Sequence, residues 1–362
     1  MSTLTTNYLT PTGREEAWRF TPLNRLKGLH DLSVSVADRI SLSARELPSG
    51  VTYVTHPARE TPAHSQSDDL VVARVRETSS NVSVLSIPAD LVVAEPIFLG
   101  RTSGSGEPEA SRTVIRAGNH SRSTVVVENI GTGTFAEEIE IILEPGANLT
   151  FITLQEWSND AVHLGRHHAV IGRDASFTSV VVTVGGSLVR LLPTVEYAGP
   201  GSSAEMFGLY FATTGQHLEH RIHVDHNVGH AKSRVNYKGA LSGDGARTVW
   251  IGDVFIRAAA EGTDTYELNR NLLLSDGARA DSVPNLEIET GEIVGAGHAS
   301  TTGRFDDEQL FYLESRGIPE ADAKRLVIRG FFLEILSKIG IESVEERIMN
   351  RIDAELAQVE IA

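Results

Sequence analysis

One spacing constrains the fold of this chain more than any other feature. A short turn recurs as Arg116-Ala-Gly-Asn, Pro145-Gly-Ala-Asn, Arg173-Asp-Ala-Ser, Gly201-Ser-Ser-Ala-Glu and Gly229-His-Ala-Lys, each followed by a strand-like run. The alanines fall at 117, 147, 175, 204 and 231, in steps of 30, 28, 29 and 27 residues. A turn that returns at nearly constant spacing is what a stacked solenoid needs, because each coil buries its apolar face only against its neighbours. From about 82 to 304 the chain is a succession of short Val/Ile/Leu/Thr runs punctuated by Gly, Pro, Asn and Asp, with scarcely any helical periodicity. The expected fold class is mainly β: a right-handed β-helix (β-solenoid) core flanked by N-terminal and C-terminal α-helical segments. A β-sandwich in which the alanine spacing is coincidental is the alternative.

Three parts are expected: an N-terminal helical and mixed segment over 1–80, the β-helix core over 81–305, and a C-terminal helical domain over 306–362. Residues 13–30 read as one or two helical turns broken at Pro22, with Trp18, Phe20, Leu23 and Leu26 pinning this arm to a larger body. Apolar pieces such as Val51 to Val54 and Leu70 to Val75 read as isolated strands. After Arg304 the punctuation becomes helical. Asp306-Asp-Glu opens a first helix, Arg316-Gly317-Ile318-Pro319 stops it, a second runs to about Ile339 and a third from about Ser343 to Val359. A solenoid must hide its ends, so the flanking helices are expected to act as caps.

Composition removes several chemistries. The chain has no cysteine, which excludes disulfides, thiolate catalysis and Cys-ligated zinc or iron within this chain alone. Its net charge of -16, from 48 acidic against 32 basic residues, argues against a nucleic-acid surface. The N-terminus lacks a basic head and an apolar core, and no apolar run approaches the roughly 18 residues of a membrane span, so a cytoplasmic protein without membrane contact is expected. No Gly-Lys dipeptide exists, hence no Walker A loop; G-x-S-x-G and a complete G-x-G-x-x-G are also absent.

Eight of the 13 histidines lie between 163 and 230. If His217 to His226 is a strand, His220 and His226 share a face with Ile222 and Val224, while His223 lies with Arg221 and Asp225. Imidazoles bind iron or zinc, so His220 and His226 are candidate metal ligands. The alternative is a polar ladder on a solvent face of the solenoid. His298 differs, being isolated in a Gly/Ala/Ser/Thr-rich segment that leaves its ring uncrowded. The wide apolar face around Phe331 and Phe332 reads either as core between cap helices or as a partner-binding groove.

Several segments together carry a resemblance: Asn269-Arg-Asn-Leu-Leu-Leu-Ser, Pro284-Asn-Leu-Glu-Ile, His298-Ala-Ser-Thr-Thr-Gly-Arg and Asp306-Asp-Glu-Gln-Leu-Phe-Tyr-Leu-Glu-Ser-Arg-Gly-Ile-Pro, with Glu15-Glu-Ala-Trp-Arg-Phe-Thr near the N-terminus. They resemble the SufB/SufD family of iron–sulfur cluster assembly proteins. The likeness is to the SufD branch, since the SufB branch carries the sulfur-accepting cysteines and this chain has none. The resemblance implies a non-catalytic scaffold that pairs with a SufB paralogue through the β-helices and docks the SufC ATPase through its C-terminal helices. The docking region would include Gly317, Ile318, Pro319, Leu326, Arg329, Gly330, Phe331 and Phe332.

By the same resemblance His298 corresponds to a histidine at the SufB interface where clusters are assembled. The family's nearby cysteine position is Ala296 here, and Ala299 replaces a glycine. No cofactor is expected on this chain alone, with a transient iron–sulfur cluster or iron at the SufB interface, and a homodimer when SufB is absent. Two rival readings stand beside this one. The first is a β-helix polysaccharide-active enzyme, for which Asp225, Asp244 and Asp253 show no evident pairing. The second is a metal-binding homodimer that uses the 217–230 histidines.

Overall fold

A computed structural model describes residues 9–39, 42–102, 104, 106–304 and 307–357. In chain order the strands are β1 (Ala37–Asp38), β2 (Ser43–Ala44), β3 (Thr52–Pro57), β4 (Asn81–Ile87), β5 (Ile97–Arg101), β6 (Pro108–Ala117), β7 (Arg122–Gly131), β8 (Thr134–Leu143), β9 (Asn148–Trp157), β10 (Val162–Ile171), β11 (Ser176–Thr183), β12 (Leu188–Tyr197), β13 (Ser203–Ala212), β14 (His217–His226), β15 (Lys232–Leu241), β16 (Arg247–Ile256), β17 (Asp264–Leu273), β18 (Arg279–Ile288) and β19 (Gly295–Gly303). The helices are α1 (Leu70–Thr78), α2 (Asp307–Ser315), α3 (Glu320–Leu336) and α4 (Glu342–Leu356).

Consecutive strands never pair along the core; every strand pairs in parallel with the one two places on. Even-numbered strands from β4 to β18 build one sheet and odd-numbered strands from β5 to β19 the other, giving a β-solenoid of about 8 turns. This excludes the sandwich, whose sheets are antiparallel. Inward side chains of both sheets, among them Ile139, Ile141, Phe151, Leu191, Tyr210, Tyr237 and Trp250, form one continuous core. At the first end β3 and β2 run antiparallel to β4 and β5 and finish the two sheets.

The repeat is real, but two of its expected alanines are out of phase. Strand register aligns Arg122, Asn148, Ser176, Ser203, Lys232 and Asp264. The corner residues just before them are therefore Ser121, Ala147, Ala175, Ser202, Ala231 and Thr263. All six are small and buried. Ala117 instead ends β6 beside Leu143, and Ala204 lies inside β13 beside Phe177. What the corner selects is small volume, which serine and threonine meet as well as alanine.

A second rule holds at the same corners. The preceding residue has positive φ at each of these six corners: His120, Gly146, Asp174, Gly201, His230 and Gly262. The chain there turns through the left-handed region, which glycine enters without cost and Asn, Asp or His at modest cost. Stacking tightens the requirement at Gly146, where a Cβ would overlap the His120 ring of the previous coil.

The flanking segments lie along the solenoid rather than across its ends, so the expectation of helical caps is corrected. The N-terminal arm, with short 3-10 turns at Glu16–Trp18 and Leu23–Arg25, covers the outer face of the even-numbered sheet. Its Thr21 hydroxyl donates to Glu219 (2.8 Å), and the Arg190 guanidinium lies 4.1 Å from the Trp18 ring centroid. Leu70 to Val75 is not a strand but the body of α1. Three valines are poor helix formers, yet Asp69 caps the helix by accepting from the Val71 and Val72 amides, and Leu70, Val71 and Val75 bury against β6, β8 and β10. Helices α3 and α4 cover the odd-numbered sheet, where Ile328, Phe332, Ile335, Ile348 and Ile352 meet Val182, Phe207, Leu209 and Phe211. Among the described residues no helix covers coil β18–β19 in this way.

Gly146→Ala should lower the unfolding free energy by about 1–3 kcal/mol, the cost of a left-handed non-glycine residue together with the clash against His120. Urea unfolding measures it, and an unchanged midpoint would show that this corner is slack.

Candidate functional site

The uncovered coil is where both sheets stop. Strand β19 pairs with β17 on one side only, and β18 pairs only with β16. Each therefore leaves a row of backbone donors and acceptors without a ladder partner among the described residues. His298 sits in the middle of β19, in register with Glu267 of β17. Its side chain is 44% exposed, and its Nδ1 lies 3.7 Å from Glu267 Oε1. Ala296 is two residues earlier on the same strand face and is partly buried against the core, so a thiol there would project to the same side as the imidazole. Ser300 on β19 donates to Ser282 on β18 (2.7 Å), joining the two sheets beside His298.

Glu267 is the residue that sequence reasoning missed. It points into the solenoid with Thr265, Asn269 and Asn271, all buried. Its side chain is 1% exposed, and neither carboxylate oxygen has a hydrogen-bond partner among the described residues. Burial, reinforced by the charge of Asp253, pushes its carboxyl up to about 8. The other buried glutamates have cations at hand. Glu137 meets Arg101 (2.7 Å) as well as His163 and His167 (3.1 Å each), Glu138 meets Arg76 (2.6 Å), and Glu219 lies beside His217 (3.1 Å) and Arg190 (3.4 Å). The signal available in the sequence was positional: Glu267 has the inward parity of its strand and stands one coil before His298.

The histidines of β14 are inside the solenoid. His220 and His226 do share a face with Ile222 and Val224, but that face is the core, not solvent. Each ring stacks on a tyrosine, His220 on Tyr210 (5.0 Å) and His226 on Tyr197 (4.8 Å), and each is bonded to a hydroxyl, of Thr183 (2.9 Å) and Ser233 (2.9 Å) respectively. Six residues of strand separate them by about 20 Å, so they do not converge on one ion. Among the described residues no group of three or more His, Asp or Glu side chains is arranged to hold a metal.

The C-terminal region divides between surface and core. Gly317, at φ +83°, ends α2 with the Ile318 amide donating back to Leu313, a Schellman turn that leads into Pro319. Leu326 is 49% exposed and Leu333 62%. Arg329 pairs with Asp353 of α4 (3.4 Å), and Phe331 lies under Lys238. Phe332 is fully buried against the sheet and presents nothing to solvent. No helix among the described residues is long and apolar enough to cross a membrane.

Burial holds the His220 imidazole down to about 3 and that of His226 down to about 4, below the ordinary 6.5. Both stay neutral in the folded chain, while the unfolded chain takes up their protons near 6.5. Their contribution to stability is therefore complete above pH 6.5 and is lost as pH falls from 6.5 towards 4 and 3. Urea midpoints should drop steeply between about pH 6.5 and 4.5, and His226→Gln should flatten that slope. Identical slopes would remove the assignment.

A family model for the SUF system FeS cluster assembly SufBD core domain matches residues 100–331. An iron–sulfur cluster assembly SufBD family protein of Mycobacterium bovis is 49% identical over 356 residues, covering 96% of this chain and 89% of its own. A SufBD family protein of Mycobacterium leprae is 47% identical over 360 residues, covering 97% and 91%. The iron–sulfur cluster assembly protein SufD of Escherichia coli is 28% identical over 387 residues, again across 96% of this chain and 89% of its own. With the core-domain match spanning most of the solenoid, and near-half identity along almost the whole length of the mycobacterial proteins, this chain belongs to the SufBD family of iron–sulfur cluster assembly proteins.

Proposed function

We propose that this chain is a non-catalytic scaffold subunit of the cluster assembly machinery. In this reading it pairs with a SufB paralogue through its last coil and carries a SufC ATPase on its C-terminal helices. The observation that carries the reading is the half-exposed imidazole of His298 on the free edge of β19, with the edge of β18 beside it. Two unpaired strand edges are a template for another parallel coil. An iron–sulfur cluster is the cargo here and takes mostly thiolate ligands. A chain without cysteine can add no thiolate, so the partner supplies the thiolates and His298 contributes a ligand or a proton-transfer group.

His298→Ala should leave folding and the complex with SufB intact, because the ring is exposed and makes no hydrogen bond that the coil needs. Cluster formation on the pair should fall sharply, read as the rise of visible absorption during anaerobic reconstitution. Unimpaired reconstitution would sink the role.

The docking of SufC is supported by the outer surface of α2 and α3. Phe311 is 72% exposed, and Leu326 and Leu333 stand out from a helix whose opposite side is already buried. Gly330 adds to this: glycine inside a helix costs about 1 kcal/mol relative to alanine, and beyond its own stretch of helix nothing among the described residues comes within 4 Å of where its Cβ would be. Close approach by a partner is a reason for such a residue. Leu326→Asp should abolish capture of SufC in a pull-down while the circular dichroism spectrum stays that of the parent. Full capture by the variant would place the ATPase elsewhere.

A further inference from the structure

We propose that Glu267 and His298 form a two-donor half-site for a divalent transition-metal ion, with Fe(II) the ion that cluster assembly requires. The inference rests on the reading of His298 as a group at the partner interface, and adds to it a second donor and the class of ligand.

Three observations carry it. The first is the orphaned carboxylate: both Glu267 oxygens are buried and without a hydrogen-bond partner among the described residues, whereas the other buried glutamates of the fold are compensated. An uncompensated buried carboxyl is costly, and a site retains one where something else completes it. The second is the separation. At 3.7 Å the Glu267 Oε1 and His298 Nδ1 atoms are too far apart for the short charge-assisted hydrogen bond an imidazole and a carboxylate would make. It does suit an ion between them: two donors each about 2.1 Å from a metal and 3.7 Å from one another subtend roughly 120° at it. The third is the cradle. Gly252 of β16 faces the Glu267 carboxylate, and a Cβ there would overlap Oε2 and the Trp250 ring, so the glycine provides the room the carboxylate occupies.

The donor set fits the ion. One imidazole and one carboxylate make a borderline-hard pair that Fe(II) accepts. Gathering the pair costs no backbone movement, because the ladder between β17 and β19 already sets the two residues opposite each other. Since no third His, Asp or Glu joins them among the described residues, the remaining positions fall to water or to donors brought by the chain that meets this edge.

The test is a Co(II) titration of the full chain, Co(II) standing in for air-sensitive Fe(II), followed by visible d–d absorption and by paramagnetic shifts of the His298 ring protons. One saturable ion per chain is expected, with the His298 ring shifted. Glu267→Gln, isosteric but a far poorer donor, should weaken binding at least about tenfold. Glu267→Asp, which withdraws the carboxylate by one methylene, should also weaken it. Binding by both variants as tight as that of the parent chain would overturn the proposal, and so would a parent chain that shows no shifted His298 ring. The outcome is separable from that of the scaffold reading. Impaired cluster formation in His298→Ala alongside unchanged Co(II) binding in Glu267→Gln would sink the half-site alone, whereas normal cluster formation in His298→Ala would sink the interface role whatever the titration gives.

Discussion

The structure depends on one repeated backbone hydrogen bond at the corner of each coil. The Asn148 amide donates to Ser121, Ser176 to Ala147, Ser203 to Ala175, Lys232 to Ser202 and Asp264 to Ala231, at 2.8 to 3.2 Å. Because each corner accepts from the next, every coil is positioned by its predecessor, and a side chain too large at one corner would displace all the coils above it. This explains why volume and backbone hand are constrained there while chemical identity is not. It also explains the inward polar residues. A coil has only two neighbours, so an inward Glu137 or His220 must find its partners within a coil or two; the rings of Tyr210 and Tyr197 supply flat surfaces on which His220 and His226 stack, and His163 meets the Trp157 ring edge-on.

Much of this was legible in the sequence, for a physical reason. Parallel stacking needs a turn at constant spacing, and Ala147, Ala175 and Ala231 mark it truly. Ala117 and Ala204 do not, because alanine also suits strand positions that face the core, and a one-letter repeat cannot separate the two uses. The spacing of His217 to His226 gives the alternation of faces but not which face is buried. Histidine, Glu and Asp ordinarily signal solvent, and here hydrogen-bonded hydroxyls and aromatic stacking make their burial tolerable. Leu70 to Val75 failed differently. Its valines favour a strand, and only the tertiary contacts with β6, β8 and β10, together with the Asp69 cap, decide for a helix.

The site was half legible. His298 stands alone in small residues and attracts notice on those grounds. Glu267 is one of many glutamates and becomes distinctive only when register sets it under His298 and burial removes its partners. The helices were expected at the ends because a solenoid's ends are its exposed apolar surface. In the structure the outward faces of β9, β11 and β13 are themselves apolar, through Ile152, Leu154, Val180, Val182, Phe207, Leu209 and Phe211, and they claim α3 and α4.

That lateral attachment fixes a distance. Strands in a parallel sheet are about 4.8 Å apart, so β13 and β15, on which α3 rests, lie three and two strand spacings from β19, or roughly 10 to 15 Å. Unbroken ladders bridge the interval. The helical flank and the imidazole of the last coil thus belong to one stiff plate, with no hinge between them. A displacement imposed on α3 reaches His298 as a rigid rotation of the plate, and any relative motion must be taken up at the free edge of the coil.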